Sequence, residues 1–530
     1  MARLGTALRL PPSTTEFAVD RRVRVPMRDG VDLIADHYAP RTDRPAGTLL
    51  VRAPYGRGWP FSGVFGAVYA ARGYHVVLQS VRGTFGSGGE FDPFVHEVDD
   101  GADTVRWLRE QPWFTGTFGT IGLSYLGWTQ WALLSDPPPE LKASVITVGP
   151  HDVSGPRWGT GSFALNDFLG WSDLVSRQEN PNRLLLLLRQ ARAQQLVTKA
   201  SLGSPLGTSS RALLGAGAPW FESWLDHPDS DDPFWTGLRF GDALKRSEVP
   251  VLFLTGWQDL FLEQTLEQYT QLRARGVSAG LTVGPWTHGH MMTKAAPTVL
   301  RETLDWLGTH LGGEPATRPA PVRIHVKGAG WRDLPEWPPA ATNLVLFPHP
   351  GGRLRSAPTR SDQSVTFVYN PADPTPTVGG RLLSPAGGYR DDTGLSRRAD
   401  TVTFTGDPLP TDLRVIGTPV VELSHTCPNP HNDLFVRISQ VDAHGDSRNV
   451  SDGYLAAAPS ATARIELDSV AWTFPAGSRV RVLVAGGSHP RFLRNRGTGE
   501  LSSGATAFAT ARHTVHLGDA TRVTLPVSGD

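Results

Sequence analysis

The sequence predicts an α/β domain interrupted by a helical insertion and completed by an all-β sandwich. Three observations carry that expectation. Short apolar runs without polar alternation recur before residue 150 and again near residue 250, with helical periodicity between them. A long segment separating the two groups has no strand rhythm, and from about Pro315 the runs turn to polar alternation punctuated by Gly, Pro, Asp and Asn. Strands that are apolar on both faces belong to a parallel sheet covered by helices, whereas half-apolar strands at short, regular spacing belong to a sandwich. A chain of 530 residues has room for two to four such units.

In chain order, residues 22–26 and 31–38 flank Asp29-Gly30, a dipeptide suited to positive φ in a tight hairpin. Buried parallel strands are expected at 48–52, 75–79, 117–122 and 143–148, then at 249–255 and 280–283. Val98, Ala102, Val105 and Leu108 share one face of a helix over 98–109, and 125–134 and 262–275 also have helical periodicity. Residues 151–244 are rich in aromatics and read as a helical cap over the strand ends. Sandwich strands are expected at 322–326, 343–347, 364–369, 402–405, 418–424, 433–441, 462–467 and 479–484. The predicted division is 1–150 and 245–314 for the α/β domain, 151–244 for the cap and 315–530 for the sandwich.

Lys plus Arg and Asp plus Glu are 51 each, so the net charge is zero and no basic stripe exists to neutralise phosphates. Neither nucleic acid nor an anionic membrane surface is an expected partner. Cys427 is the only cysteine, which excludes an intramolecular disulfide and a cysteine metal site and leaves a small core residue. The first 17 residues lack the apolar core of a signal peptide, and no apolar run approaches a membrane span, so a soluble cytoplasmic protein is expected.

The chemistry concentrates at GTIGLSYLGWTQWA, residues 119–132, where Ser124 lies between an apolar strand and a helix. A serine on such a sharp turn projects its hydroxyl above the sheet, and Gly122 leaves room for the strained backbone. The next amide, that of Tyr125, faces the place where an oxyanion would form. The strict G-x-S-x-G pattern is not met, because Leu126 precedes Gly127. Such a serine needs an acid and a base from the ends of later strands, in that order. Asp259 follows VPVLFLTGWQ and His288 follows GLTVGPWT, with Asp242 and His290 as rivals. His288 with His290 could suggest a metal, but no third ligand stands at usual spacing, so neither a metal nor another cofactor is expected. Tyr55, after the strand in TLLVRAPYGRG, is a candidate second oxyanion donor; an aromatic there also serves packing. The loop RGTFGSGGE lacks the G-K-[ST] ending of a phosphate-binding loop and reads as structural.

These motifs, taken in order, resemble the X-Pro dipeptidyl-peptidase-like hydrolases, in the branch of bacterial acyl esterases that contains cocaine esterase. RAPYGRG, VVLQSVRGTFGSGGEF, GLSYLGWTQW, GWQDLF, GPWTHG and SHPRFLRNRGTGE span nearly the whole chain, and the family form of the serine motif is G-x-S-Y-x-G. The resemblance implies an α/β-hydrolase domain with a helical cap and a C-terminal jelly-roll sandwich of the galactose-binding-like kind. It also implies a triad of Ser124, Asp259 and His288, with Tyr55 and the Tyr125 amide as oxyanion hole. Trp158, Trp171 and Phe261 match aromatics that line the acyl pocket in that branch. Ser80 departs from the usual Asp of Q-D-x-R-G, which puts the stability of its loop in question more than activity.

The implied reaction is hydrolysis of a small-molecule ester through an acyl-enzyme, and a homodimer is left open. X-Pro dipeptidyl peptidases and α-amino ester hydrolases bind an ammonium and need carboxylates in the pocket. Leu260, Phe261 and Leu262 follow Asp259 here, which favours an uncharged acyl group, and the first motif already begins at Arg52, so the large N-terminal domain of lactic-type peptidases is not expected. A different class of reading makes the sandwich a carbohydrate- or ligand-binding module beside a vestigial hydrolase domain.

Overall fold

In the computed structural model, which describes residues 8, 10–360, 363–457 and 460–529, the first ten strands form one sheet. They are β1 Phe17–Pro26, β2 Asp32–Pro40, β3 Gly47–Ala53, β4 Tyr74–Ser80, β5 Phe118–Leu123, β6 Leu141–Thr147, β7 Val251–Gln258, β8 Ala279–Thr287, β9 Val322–Val326 and β10 Gly330–Leu334. Their order is β1-β2-β4-β3-β5-β6-β7-β8-β9-β10, parallel from β4 to β9, with antiparallel strands at both ends.

The unbroken apolar runs have a direct cause. Leu50 and Val77 pack into the core on one side of the sheet, while their neighbours Leu49, Val51, Val76 and Leu78 pack into the core on the other. Each such side chain contributes about 1.5–3 kcal/mol on burial, so both faces must be apolar. Helices α1 Glu97–Arg109 and α2 Tyr125–Leu134 cover the first half of the sheet. Between β6 and β7 the cap is built mainly from α3 Leu165–Arg177, α4 Arg183–Ser201, α5 Leu206–Leu214 and α6 Trp220–Asp226. Helices α7 Leu262–Ala274 and α8 Ala296–His310 complete the cover.

One expected strand lies elsewhere. Residues 322–326, read as the head of the sandwich, form β9 and pair in parallel with β8. Their alternation is genuine, with Val322, Ile324 and Val326 fully buried and Arg323 and His325 partly exposed. It arises near the edge of the first sheet, where only one face needs to be apolar.

The remaining thirteen strands among the described residues make the sandwich. Strand Thr342–His349 pairs over its first part with Arg522–Val527 and over its last with Arg353–Arg355, passing from one layer to the other. Val421, Leu423, Val436, Ile438, Val482, Val484, Val523 and Leu525 point inward at every second position and fill the space between the layers. Among the described residues no helix is long and apolar enough to cross a membrane.

Candidate active site

Four parallel strands end at one rim, and each is followed by a residue singled out from the sequence. Tyr55 comes two residues after β3, Ser124 one after β5, Asp259 one after β7 and His288 one after β8. In open α/β sheets this carboxyl edge is where ligands bind.

Ser124 has φ 59° and ψ −121°, a left-handed conformation that costs a non-glycine residue of order 1–3 kcal/mol. The turn is held by the Ser124 amide donating to the Thr147 carbonyl at 2.9 Å and by the Gly127 amide donating to the Ser124 carbonyl at 2.8 Å. It closes only because two neighbours lack a side chain. A Cβ on Gly122 would lie 2.3 Å from Leu126 Cβ, and one on Gly127 would lie 2.5 Å from Gly149 Cα. The glycine displaced from the strict motif therefore lets α2 sit against the segment after β6. Tyr125 opens α2, so its amide belongs to the first turn, whose N–H groups have no partner within the helix.

His288 is buried and approaches Asp259 with Nδ1 2.6 Å from Oδ1. Asp259 is fully enclosed, and its other oxygen accepts from the Phe261 amide at 2.9 Å and the Thr255 hydroxyl at 3.4 Å. The rivals are occupied elsewhere. Asp242 is exposed and pairs with Lys245 at 3.3 Å, and His290 Nδ1 accepts from the Thr287 amide at 3.2 Å, capping the short turn that begins at His288.

Ser124, Tyr55, Tyr125 and His288 share one small cavity of about 30 Å³. Its remaining wall is apolar, from Phe94, Pro150, Phe168, Trp171, Leu260, Phe261 and Leu383, with Asp167 the single carboxylate. The Trp171 indole N–H donates to the Tyr55 phenol oxygen at 3.1 Å, and the phenol lies beside Ser124. Burial pushes the Tyr55 phenol above its ordinary range, so it stays a donor at neutral pH. The ring of Phe261 meets that of His288 edge-on at 5.7 Å.

Trp158, expected beside Trp171 and Phe261, does not reach the cavity. It is buried in the cap, packed on Phe163, with its indole N–H donated to the Trp224 carbonyl at 2.8 Å. It stands before α3, one layer behind Phe168 and Trp171, and the spacing of aromatics does not separate these layers. Four cavity residues carry no sequence signal of their own: Phe94 in the loop before α1, Asp167 and Phe168 on α3, and Leu383 in the sandwich. Asp167 Oδ1 accepts from the Leu383 amide at 2.9 Å, joining cap to sandwich, and burial pushes its carboxyl above the usual range. A wider cleft of about 630 Å³, between cap, α7 and sandwich, meets the cavity at Asp167 and Leu260. Ser80 accepts a hydrogen bond from Arg57, whose guanidinium is neutralised by Asp36 at 3.2 Å, so the charge missing from position 80 comes from β2.

Comparison with known proteins agrees with this architecture. Residues 29–290 match the family model of X-Pro dipeptidyl-peptidase (S15 family), and residues 315–525 match that of the X-Pro dipeptidyl-peptidase C-terminal non-catalytic domain. Cocaine esterase of Rhodococcus sp. (strain MB1 Bresler) is 30% identical over 538 residues, covering 91% of this chain and 93% of that protein. Two solved structures share the fold over 98% of both chains at 22% identity: an aminopeptidase from a marine sediment Thaumarchaeota archaeon, TM-score 0.82, and an α-amino acid ester hydrolase, TM-score 0.81. With both domains matched in order and a relative of this identity aligned along nearly its whole length, the chain belongs to the X-Pro dipeptidyl-peptidase (S15) family and is a serine hydrolase of the α/β-hydrolase fold.

Proposed function

We propose that the protein hydrolyses carboxylic esters of small, uncharged acyl groups through an acyl-enzyme. One observation supports the reading above all: an imidazole held 2.6 Å from a fully enclosed carboxylate opens onto the same apolar cavity as a serine on a left-handed strand-to-helix turn. In the mechanism, Ser124 Oγ attacks the acyl carbon while His288 Nε2 takes its proton. Asp259 keeps the other imidazole proton on Nδ1 and stabilises the imidazolium. The oxyanion accepts from the Tyr125 amide and the Tyr55 hydroxyl. An indole N–H only donates, so the Trp171 bond occupies an acceptor site of the phenol and leaves its hydrogen for the oxyanion. Collapse of the tetrahedral intermediate breaks the bond to the alcohol, which leaves with the proton from His288, and water repeats the sequence to free the acid.

Active-site labelling tests this. A fluorophosphonate should modify Ser124 stoichiometrically, and Ser124→Ala should lose labelling and about 10⁶-fold in kcat toward short-chain and benzoyl nitrophenyl esters. A wild-type chain inert to both probe and esters would overturn the reading.

Asp167 favours a second reading, in which the substrate carries an ammonium group, as the names of the two structural relatives suggest for those proteins. A carboxylate in so apolar a cavity is stabilised by a cation. The wild-type enzyme separates the readings. If Asp167 binds an ammonium, an α-amino ester or a Gly-Pro anilide is cleaved more than tenfold faster than its uncharged counterpart; under the first reading the order is reversed.

A further inference from the structure

A hairpin of the sandwich, residues 379–390, is closed by mutual amide-to-carbonyl bonds between Gly380 and Gly388 at 2.9 and 2.8 Å and forms part of the cavity wall. Its contacts fall beside the residues of the proposed triad. Tyr389 lies beside Gln258, the residue before Asp259, closely enough for the amide to bear on its phenol. Gly388 lies against Thr287, the residue before His288, so closely that a Cβ there would be 3.2 Å from the threonine methyl. Arg381 Nη1 stands 3.4 Å from the carboxylate of Glu263, in the first turn of α7 just after Asp259.

Arg381 is the outer end of a line of alternating charges that starts deep in the sandwich. Arg437 forks onto Asp452 at 2.7 and 2.8 Å, Asp452 takes Arg491 at 2.7 Å, Arg491 faces Asp468 at 3.4 Å, and Asp468 binds Arg381. Ser469, next in the chain, gives its amide and hydroxyl to Glu263 at 2.7 and 2.9 Å. Gly380 permits this arrangement: its φ of +88° lies in the left-handed region, and a Cβ there would lie 2.6 Å from Asp452 Oδ2.

We propose that Arg381, acting with Ser469 through Glu263, is a positioning residue: the sandwich fixes the turn that carries Asp259 and sets the field at the Asp259–His288 pair. This rests on the triad reading above. Asp259 and Glu263 put two carboxylates on one turn, and Arg381 is the cation that lies toward both. The charged groups facing His288 are Asp259 from that turn and Asp167 from the cap, and behind these stand Arg381 and Arg491 from the sandwich. Removing the arginine charge favours the imidazolium; removing the glutamate charge disfavours it.

The pH dependence of kcat/KM for a neutral nitrophenyl ester tests the idea. Arg381→Met should move the acidic limb about 0.5 to higher pH, and Glu263→Gln should move it by a similar amount to lower pH, the size following from partial solvent screening. Arg381→Lys keeps the charge and should restore the wild-type limb with a lower kcat, because an ammonium lacks the planar fork. Glu263→Gln retains an oxygen for Ser469, and its side chain is 42% exposed, so it decides the matter if Arg381→Met does not fold. Limbs that coincide with wild type, or move in one direction in both variants, overturn the proposal. Fluorophosphonate labelling of each variant keeps the two readings apart: unlabelled wild type indicts the triad, whereas labelled variants with unmoved limbs indict only Arg381.

Discussion

Two buried lines of charge end beside the same cavity, and they differ in reach. Under Ser124, Arg52 of β3 meets Glu97 of α1 at 2.9 Å, the Tyr125 phenol donates to Glu97 at 2.8 Å, and the phenol oxygen accepts from the Phe94 amide at 2.8 Å. All four residues belong to the first part of the α/β domain. Behind Asp259, the line from Arg437 to Glu263 begins in the sandwich and ends on α7. Ser124 is thus braced from within one domain, and the Asp259–His288 pair from a second. The first line is closed to solvent, with Glu97 3% exposed, whereas the second opens into the cleft at Glu263.

That contrast can be broken by stability measurements. Glu97→Ala leaves the Arg52 guanidinium enclosed without its counter-ion, and should lower the free energy of unfolding in urea by about 3–5 kcal/mol. Glu263→Gln, at a partly exposed site, should cost under about 1 kcal/mol. Equal losses would mean that the two lines do the same structural work. Catalysis sharpens the contrast from the other side. Tyr55→Phe, which removes a donor while preserving the ring, should lower kcat about 10²- to 10³-fold, or ~3–4 kcal/mol, with little change in KM.

The same division explains what could be read from the sequence. The strand ends after β3, β5, β7 and β8 are local events, each announced by an apolar run and a turn, so Tyr55, Ser124, Asp259 and His288 stand out as candidates. Cavity walls are not local. Phe168 and Trp171 face the cavity and Trp158 faces the cap interior because of how α3 lies over the strand ends, and the aromatic pattern is the same for all three. Asp167 looks like any polar residue in the first turn of a helix, where carboxylates are common. Leu383 and Arg381 come from a domain whose register against the first sheet is a tertiary fact. The helix at Ala296–His310 carries no plain sequence signal either: its buried positions Leu300, Leu304 and Leu307 fit helical spacing, but Ala296, Thr303 and Gly308 complete the face with small or polar residues that blur the pattern.

A smaller catalytic effect bears on the indole that meets both the Tyr55 phenol and the cavity wall. Trp171→Phe keeps an aromatic wall but removes the N–H donated to Tyr55, so the phenol hydrogen is no longer confined toward the oxyanion. The loss should be about 1 kcal/mol in the transition state, a five- to tenfold fall in kcat. Trp158→Phe removes an indole bond of similar length inside the cap, and should cost about 1 kcal/mol of stability while leaving kcat within about twofold. The decisive comparison is the double variant. If Trp171 acts on catalysis through the Tyr55 phenol, then in the Tyr55→Phe background the further change Trp171→Phe has nothing left to misalign, and kcat should not fall again. Additive losses would instead assign the tryptophan to the acyl wall, where it would act on substrate binding independently of the oxyanion hole.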